Sequence, residues 1–242
     1  MLLLIDDILG LLSPHICKEC GSIGATYCRR CIFNTIKRND HICLYCRQPA
    51  EHNNLCDSCC KKYHLFDDVI AIGPRKGSLK SLVGDYKYNS ELDSCRPIAE
   101  LLAAKIAGLN QHDEIEIVPI PTISAHVRQR GFDHTCMVAK QLAKLANLRV
   151  NNKILIRADN SSQHTLSGKE RRTCITKSLV LSEKYRRAIG NDDEMTSLPI
   201  PRTVIVLDDI WTTGATMETA AKLLRSIGVQ KILGLVVLYQ PK

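Results

Sequence analysis

Two groups of residues in this 242-residue chain have the types and spacing to do chemistry. The first is the run from Val204 to Thr216, VIVLDDIWTTGAT, in which adjacent carboxylates, Asp208 and Asp209, close a β-branched strand and a turn of small residues leads into a helix. Ligands of open α/β sheets bind at the carboxyl ends of strands. A turn built from Thr212, Thr213, Gly214, Ala215 and Thr216 can offer backbone N–H groups and hydroxyls to a phosphate. Gly214 permits close backbone approach, and the N-terminus of the next helix adds a favourable field. The carboxylates beside it suit a pair of sugar hydroxyls or the water around magnesium. For an isolated Asp-Asp pair the plainer reading is a strand whose aspartates cap the next turn, with Thr216 as an ordinary N-cap.

The second group is four Cys-x-x-Cys pairs: Cys17 with Cys20, Cys28 with Cys31, Cys43 with Cys46, and Cys56 with Cys59. Eight thiolates suffice for two tetrahedral zinc sites, and closed four-cysteine sites are structural rather than catalytic. Sequential pairing gives two small ribbons and crossed pairing a RING-like brace. Both stay open, although the seven-residue gap after Cys20 favours the sequential arrangement. Cys60 is surplus. His41 and His52 are near enough in sequence to substitute as ligands, but histidines beside knuckles are more often surface residues. No thioredoxin-like strand precedes any pair, which argues against redox-active cysteines. Cys95, Cys136 and Cys174 read as ordinary core or surface thiols.

These groups must be positioned by two different kinds of structure. Nine of the 12 cysteines lie between Cys17 and Cys60, which reads as metal binding in a reducing compartment rather than as a secreted disulfide scaffold. That stretch has little apolar periodicity and needs something besides a hydrophobic core to hold it. At 45% hydrophobic the chain is not a disordered one, and its length allows one good core plus a small accessory module. From Phe66 onward, FDDVIAIG, EIEIVPIP, KILIR, RTVIVLDD and KILGLVVLY read as strands. GSLKSLVGDYKY, RPIAELLAAKIAGL, HTCMVAKQLAKLANL and ATMETAAKLLRSIG read as helices, the third with Val138, Leu142 and Leu145 on one face and the last closed by Gly228. SSQHTLSGKERRTCITK is polar and basic with a helical start at Ser167, and RAIGNDDEMTSLPIP reads as a surface loop. Alternating strands and helices imply an α/β domain with a largely parallel sheet.

The opening MLLLIDDILGLL carries Asp6 and Asp7, lacks a basic flank and is too short to span a bilayer, so it reads as an amphipathic helix packed on its own protein. A cytoplasmic protein without an integral membrane segment is expected. The net charge of +8 is uneven, with 14 Lys or Arg against four Asp or Glu between Pro121 and Arg187. An anionic partner is expected there, although charge alone does not separate a nucleotide-like ligand from nucleic acid.

The run VIVLDDIWTTGAT resembles the signature of type I phosphoribosyltransferases, in which two acidic residues precede a T-T-G-x-T loop that binds phosphoribosyl pyrophosphate (PRPP). The resemblance implies that Asp208 and Asp209 contact the ribose hydroxyls and that Thr212, Thr213, Gly214, Ala215 and Thr216 hold the 5′-phosphate. It assigns nothing to Trp211. Thr212 stands where some such enzymes carry an acidic general base toward the incoming nucleobase.

Two further runs resemble the ComF family. EIEIVPIPTISAHVRQRGFDHT is similar to its V-P-x-P strand and following R-x-R-G-F-N-Q loop, with Asp133 and His134 in place of the usual Asn and Gln. There the resemblance implies that the backbone from Pro119 to Thr122 faces the pyrophosphate, with Arg128 and Arg130 reaching its charge. QHTLSGKERRT is similar to its Q-x-x-L-S…R run through Gln163, Leu166, Ser167 and Arg171, with Cys174 replacing an Asn and Lys169, Arg171 and Arg172 either contacting phosphates or solvating a helix. ComF-family proteins also commonly begin with zinc-ribbon-like knuckles. The whole therefore implies an N-terminal helix and double zinc-ribbon module over residues 1–65, then a type I phosphoribosyltransferase-like α/β domain over 66–242.

The family resemblance implies a protein that binds PRPP with magnesium, carries structural zinc, and handles single-stranded DNA alongside helicase-type competence proteins during natural transformation. The alternative is a catalytically active phosphoribosyltransferase, a glycosyltransferase moving phosphoribose from PRPP to a nitrogen acceptor. Thr212 in place of a loop base favours the first, and so do the knuckles and the basic middle, although few aromatics are present for base stacking. The glutamine-dependent amidotransferase that shares this loop needs an N-terminal nucleophilic cysteine, whereas here Met1 is followed by Leu2 and the first cysteine is Cys17.

Overall fold

The computed structural model describes residues 15–37, 41–51, 53–88, 94–109, 114–158, 179–189 and 198–241. The opening segment, His52 and the run holding Gln163, Leu166, Ser167, Lys169, Arg171, Arg172 and Cys174 lie outside these residues. Among them, strands β1 (Asp68–Pro74), β2 (Ile115–Pro119), β3 (Arg149–Val150), β6 (Thr203–Trp211) and β7 (Lys231–Tyr239) form one sheet in the order β1-β7-β6-β2-β3. All its pairings are parallel. The strands β4 (Leu155–Arg157) and β5 (Leu179–Leu181) pair antiparallel beside it.

Strands buried on both faces read as near-continuous apolar runs, and β7 is buried from Ile232 to Tyr239. On one face Ile205, Leu207, Leu233 and Leu235 pack against α3 (Gly77–Tyr88), α4 (Cys95–Ile106) and α6 (His134–Ala146). On the other, Val204, Val206, Ile232 and Val236 pack against α8 (Ala215–Ser226), the β4–β5 pair and Tyr185 of α7 (Glu183–Ala188). The alternation slips at the strand ends. Ile210 and Leu238 lean on the first core, whereas Trp211 and Tyr239 enter the second.

Helix α6 buries Val138, Ala139, Leu142 and Ala143, while Leu145 is 45% exposed and does not share that face as its spacing suggests. The stripe turns through 138, 139, 142 and 143, and Leu145 falls beyond it. Leu142→Ala would cost about 2–5 kcal/mol, because its site is fully enclosed. Asp133 caps this helix, accepting from the Cys136 N–H at 3.0 Å. The stretch expected as a loop after β2 holds a short helix, α5 (Ser124–Arg130), ended by Gly131 at φ +82°. In the cysteine-rich part, helices α1 (Arg29–Lys37) and α2 (Asp57–Tyr63) follow the knuckle turns.

Candidate functional site

The carboxyl end of β6 is where charge collects. Asp208 Oδ1 accepts the Asp209 N–H at 2.8 Å. Asp209 Oδ2 contacts Lys87 Nζ from the end of α3 and, at 2.9 Å, His134 Nε2 from the start of α6. Lys87 is only 9% exposed, and burial pushes its ammonium down to about 8 against the pull of Asp208. Asp208 is half-buried yet ringed by protein, and desolvation raises its carboxyl to about 7, opposed by the charges of Lys87 and Arg157. Arg157, from β4, donates through Nε to the Pro121 carbonyl at 2.9 Å, so a second cation is fixed beside the acidic pair.

A polar chain joins this pair to the loop after β2. Thr122 donates its hydroxyl proton to Asp133 Oδ1 at 2.8 Å, and its N–H to Asp133 Oδ2 at 3.3 Å. With that proton committed, Arg130 Nη1, 3.1 Å from His134 Nδ1, is the donor to the ring. The imidazole proton therefore sits on Nε2 and points to Asp209. Burial, with the charges of Lys87, Arg130 and His126, lowers His134 to about 3 and keeps it neutral. Asp133 and His134, the two departures from the ComF pattern, thus act here as a helix cap and a tether on Asp209.

The turn after β6 exposes Thr212 and Thr213, while Gly214 is buried and Thr216 half-buried. Gly214, not Thr216, is the N-cap of α8. Its φ of +86° suits glycine, and a Cβ there would lie 2.7 Å from Trp211 Cζ2. Trp211 is thus the floor of the turn, 1% exposed, with its Nε1–H lacking a hydrogen-bond partner among the described residues. On the next strand, Pro119 stands in register with Leu207, and the Ile120 N–H continues the ladder to the Leu207 carbonyl at 2.8 Å.

The cysteines resolve into two sequential clusters, Cys17, Cys20, Cys28 and Cys31, and Cys43, Cys46, Cys56 and Cys59, the sulfurs of each within 4.8 Å of one another. A convergent set of four thiols fits zinc, which would brace the fold in each. Hydrogen bonds from the Ser22 hydroxyl and amide hold Cys20 down at about 6. Cys43, against the effect of its burial, is brought to about 7 by the amides of Cys56, Cys46 and Tyr45. Burial pushes Cys31 and Cys59 up. Cys60 stays outside, its thiol 3.6 Å from the Phe66 carbonyl, and His41 is exposed.

The fold thus gathers Asp208, Asp209, Arg130, Pro119 and the 212–216 turn at one sheet edge, while Arg128 is exposed on α5. Lys87, Arg157 and Trp211 were not assigned to the site from sequence. Lys87 directly follows Tyr86 on the buried side of an amphipathic helix, and that is the one signal that could have drawn attention to it.

The phosphoribosyl transferase domain family matches residues 135–242. Together with the five-stranded parallel sheet and its flanking helices, this defines a phosphoribosyltransferase-type domain behind two four-cysteine knuckles. More particularly, the chain is ComF-like. It is 26% identical to Competence protein F of Haemophilus influenzae over 188 residues, 76% of this chain and 76% of that protein. It is 22% identical to Competence protein ComFC of Bacillus subtilis over 207 residues, covering 83% and 78%. DNA utilization protein YhgH of Escherichia coli (strain K12) is 22% identical over 200 residues, covering 79% and 81%. No helix among the described residues is long and apolar enough to cross a membrane.

Proposed function

We propose that this domain binds PRPP with magnesium and that the protein works in the handling of single-stranded DNA during natural transformation. The observation that carries the ligand reading is the pair Asp208 and Asp209 near the carboxyl end of β6, beside a turn closed on Trp211 at Gly214 and within reach of Lys87, Arg130 and Arg157. Asp208 and Asp209 take the ribose hydroxyls, and Thr212, Thr213, Gly214, Ala215 and Thr216 take the 5′-phosphate at the N-terminus of α8. The backbone from Pro119 to Thr122, with Arg128 and Arg130, faces the pyrophosphate. Magnesium, when bound with PRPP, offsets pyrophosphate charge, and the acidic pair suits its water shell. The DNA reading is supported by what the relatives are named for and by the basic stretch from Pro121 to Arg187.

Binding is favoured over transfer to a nitrogen acceptor because the 212–216 turn carries no base of its own. Thr212 offers none, and both ring nitrogens of His134 are engaged. Pyrophosphate release on addition of a nucleobase panel to the PRPP-bound protein would reverse that preference. Calorimetry of Asp208→Asn with Asp209→Asn tests the site itself. PRPP binding should be lost while inorganic phosphate binds as before, since each charge at a helix end contributes only about 0.3–2 kcal/mol. Normal PRPP binding by the folded double variant would sink the reading.

A further inference from the structure

The two knuckles are built on one plan. Cys17 N–H donates to Ser22 O at 2.8 Å, as Cys43 N–H does to Gln48 O at 2.9 Å, and Gly21 N–H donates to Cys17 O as Arg47 N–H does to Cys43 O. Ile16 bridges Ile23, and Ile42 bridges Pro49. Position by position, Glu19 therefore corresponds to Tyr45 and Gly21 to Arg47. Gly21 takes its left-handed turn at φ +74° without strain, but Arg47 holds the same conformation at φ +66°. A non-glycine residue kept there is disfavoured by about 1 kcal/mol or more, and such outliers persist where the side chain is used.

The Arg47 side chain is used. Its Nη2 donates to the Gln240 carbonyl at 2.9 Å, its guanidinium lies 5.7 Å from the Tyr239 ring centroid, and Gln240 N–H in turn donates to the Trp211 carbonyl at 2.8 Å. Tyr45, between Cys43 and Cys46, meets the Trp211 ring edge-on, with centroids 5.2 Å apart at 81°, and is stacked on Tyr63 at 4.5 Å. Trp211 is the ring against which Gly214 closes. The second knuckle therefore touches the floor of the 212–216 turn through a ring and through the backbone. The first knuckle joins the opposite core through Cys17, Tyr27, Cys31 and Ile32.

We propose that Tyr45 and Arg47 are positioning residues for the phosphate-binding turn, holding Trp211 beneath Gly214 so that the turn is pre-set for a phosphate. This rests on the ligand reading above, and places part of the binding affinity in the metal-knuckle module. Pre-set backbone donors bind anions without the cost of ordering them.

The test uses the full-length, metal-loaded protein with ribose 5-phosphate as probe. Trp211, the single tryptophan, serves as the reporter. Tyr45→Ala should shift Trp211 emission and weaken ribose 5-phosphate binding by about threefold to tenfold, the range expected for loss of one aromatic pair. Tyr45→Phe should restore both, since the Tyr45 hydroxyl has no hydrogen-bond partner among the described residues. Arg47→Gly should weaken binding by roughly twofold to fivefold while the melting temperature holds or rises, because a bond is lost and strain is relieved. Glu19→Ala, at the corresponding place in the first knuckle, should leave binding unchanged. If wild type binds the probe and both Tyr45→Ala and Arg47→Gly bind it equally well, the positioning role is overturned and the ligand reading survives. If wild type does not bind it, the ligand reading fails and takes this proposal with it.

Discussion

The two cysteine knuckles share a backbone plan and a donor set, yet the residues between their ligands meet the domain by different chemistry. In the first, Lys18 and Glu19 make polar contacts to α3, Lys18 to Asp85 at 2.6 Å and Glu19 to the Ser78 hydroxyl, while Cys17, Tyr27, Cys31 and Ile32 pack into the opposite core. The second enters the core under α8, with Leu44 3% exposed among Val204, Val206 and Trp211. It also adds backbone order to the edge strand β1, where Asn54 N–H donates to Val69 O at 2.7 Å and Asn54 Oδ1 accepts from Ala71 N–H at 2.8 Å. The place of a four-cysteine knuckle in the fold is therefore set less by its thiols than by the residues between them.

Metal loss should break the symmetry most. Structural zinc in small modules contributes on the order of 10 kcal/mol of apparent binding free energy. Elemental analysis should find two zinc ions per chain, and Cys56→Ser should lose one zinc together with most ribose 5-phosphate affinity. Cys28→Ser should lose one zinc and keep that affinity. Equal affinities in the two variants would erase the distinction. A metal-free protein whose knuckles stay folded would remove zinc altogether.

A comparison of equivalent positions should give the next largest difference. Leu44→Ala empties a buried site and should cost about 2–5 kcal/mol in denaturant unfolding. Lys18→Ala removes a partly exposed ion pair and should cost about 0–1 kcal/mol. Similar losses at both positions would show that these two residues do not set the knuckles apart. Reversing the turn residue is subtler: Gly21→Arg should destabilise the first knuckle by about 1–2 kcal/mol without altering phosphate affinity.

Dependence on pH separates the site from the knuckles. The folded Asp208 carboxyl is raised from 3.8 to about 7 by desolvation, so its protonated form stabilises the fold. That contribution is complete below about pH 4 and is lost as pH rises through 7, because the folded state holds the proton longer. Stability of wild type relative to Asp208→Asn should therefore fall between pH 4 and 8, and a flat difference would contradict the assigned burial.

Most of the sheet was legible, because strands buried on both faces are long apolar runs and helices recur at their own period. The acidic pair and its turn were legible as a contiguous string. What sequence did not reveal depends on packing between distant segments. Lys87 lies 122 positions before Asp209 and meets it only once α3 folds over the sheet. His134 was visible as a departure from the ComF pattern, but its tether to Asp209 needed the start of α6 beside the end of β6. Trp211 had no role in the phosphate-loop pattern because its role lies in the slip of alternation at the strand end, which sends it toward Tyr45. Leu145 was misplaced because spacing alone does not say where the buried stripe of a short helix ends.

The central claim is that the second knuckle and the turn at the end of β6 form one phosphoribosyl-binding unit. A crystal structure of the full chain with PRPP and magnesium tests it most directly. The 5′-phosphate should sit on the 212–216 turn above Trp211, with the ribose on Asp208 and Asp209 and Tyr45 still against the Trp211 ring. Ligand bound elsewhere, or bound on that turn with Tyr45 withdrawn from Trp211, would contradict it.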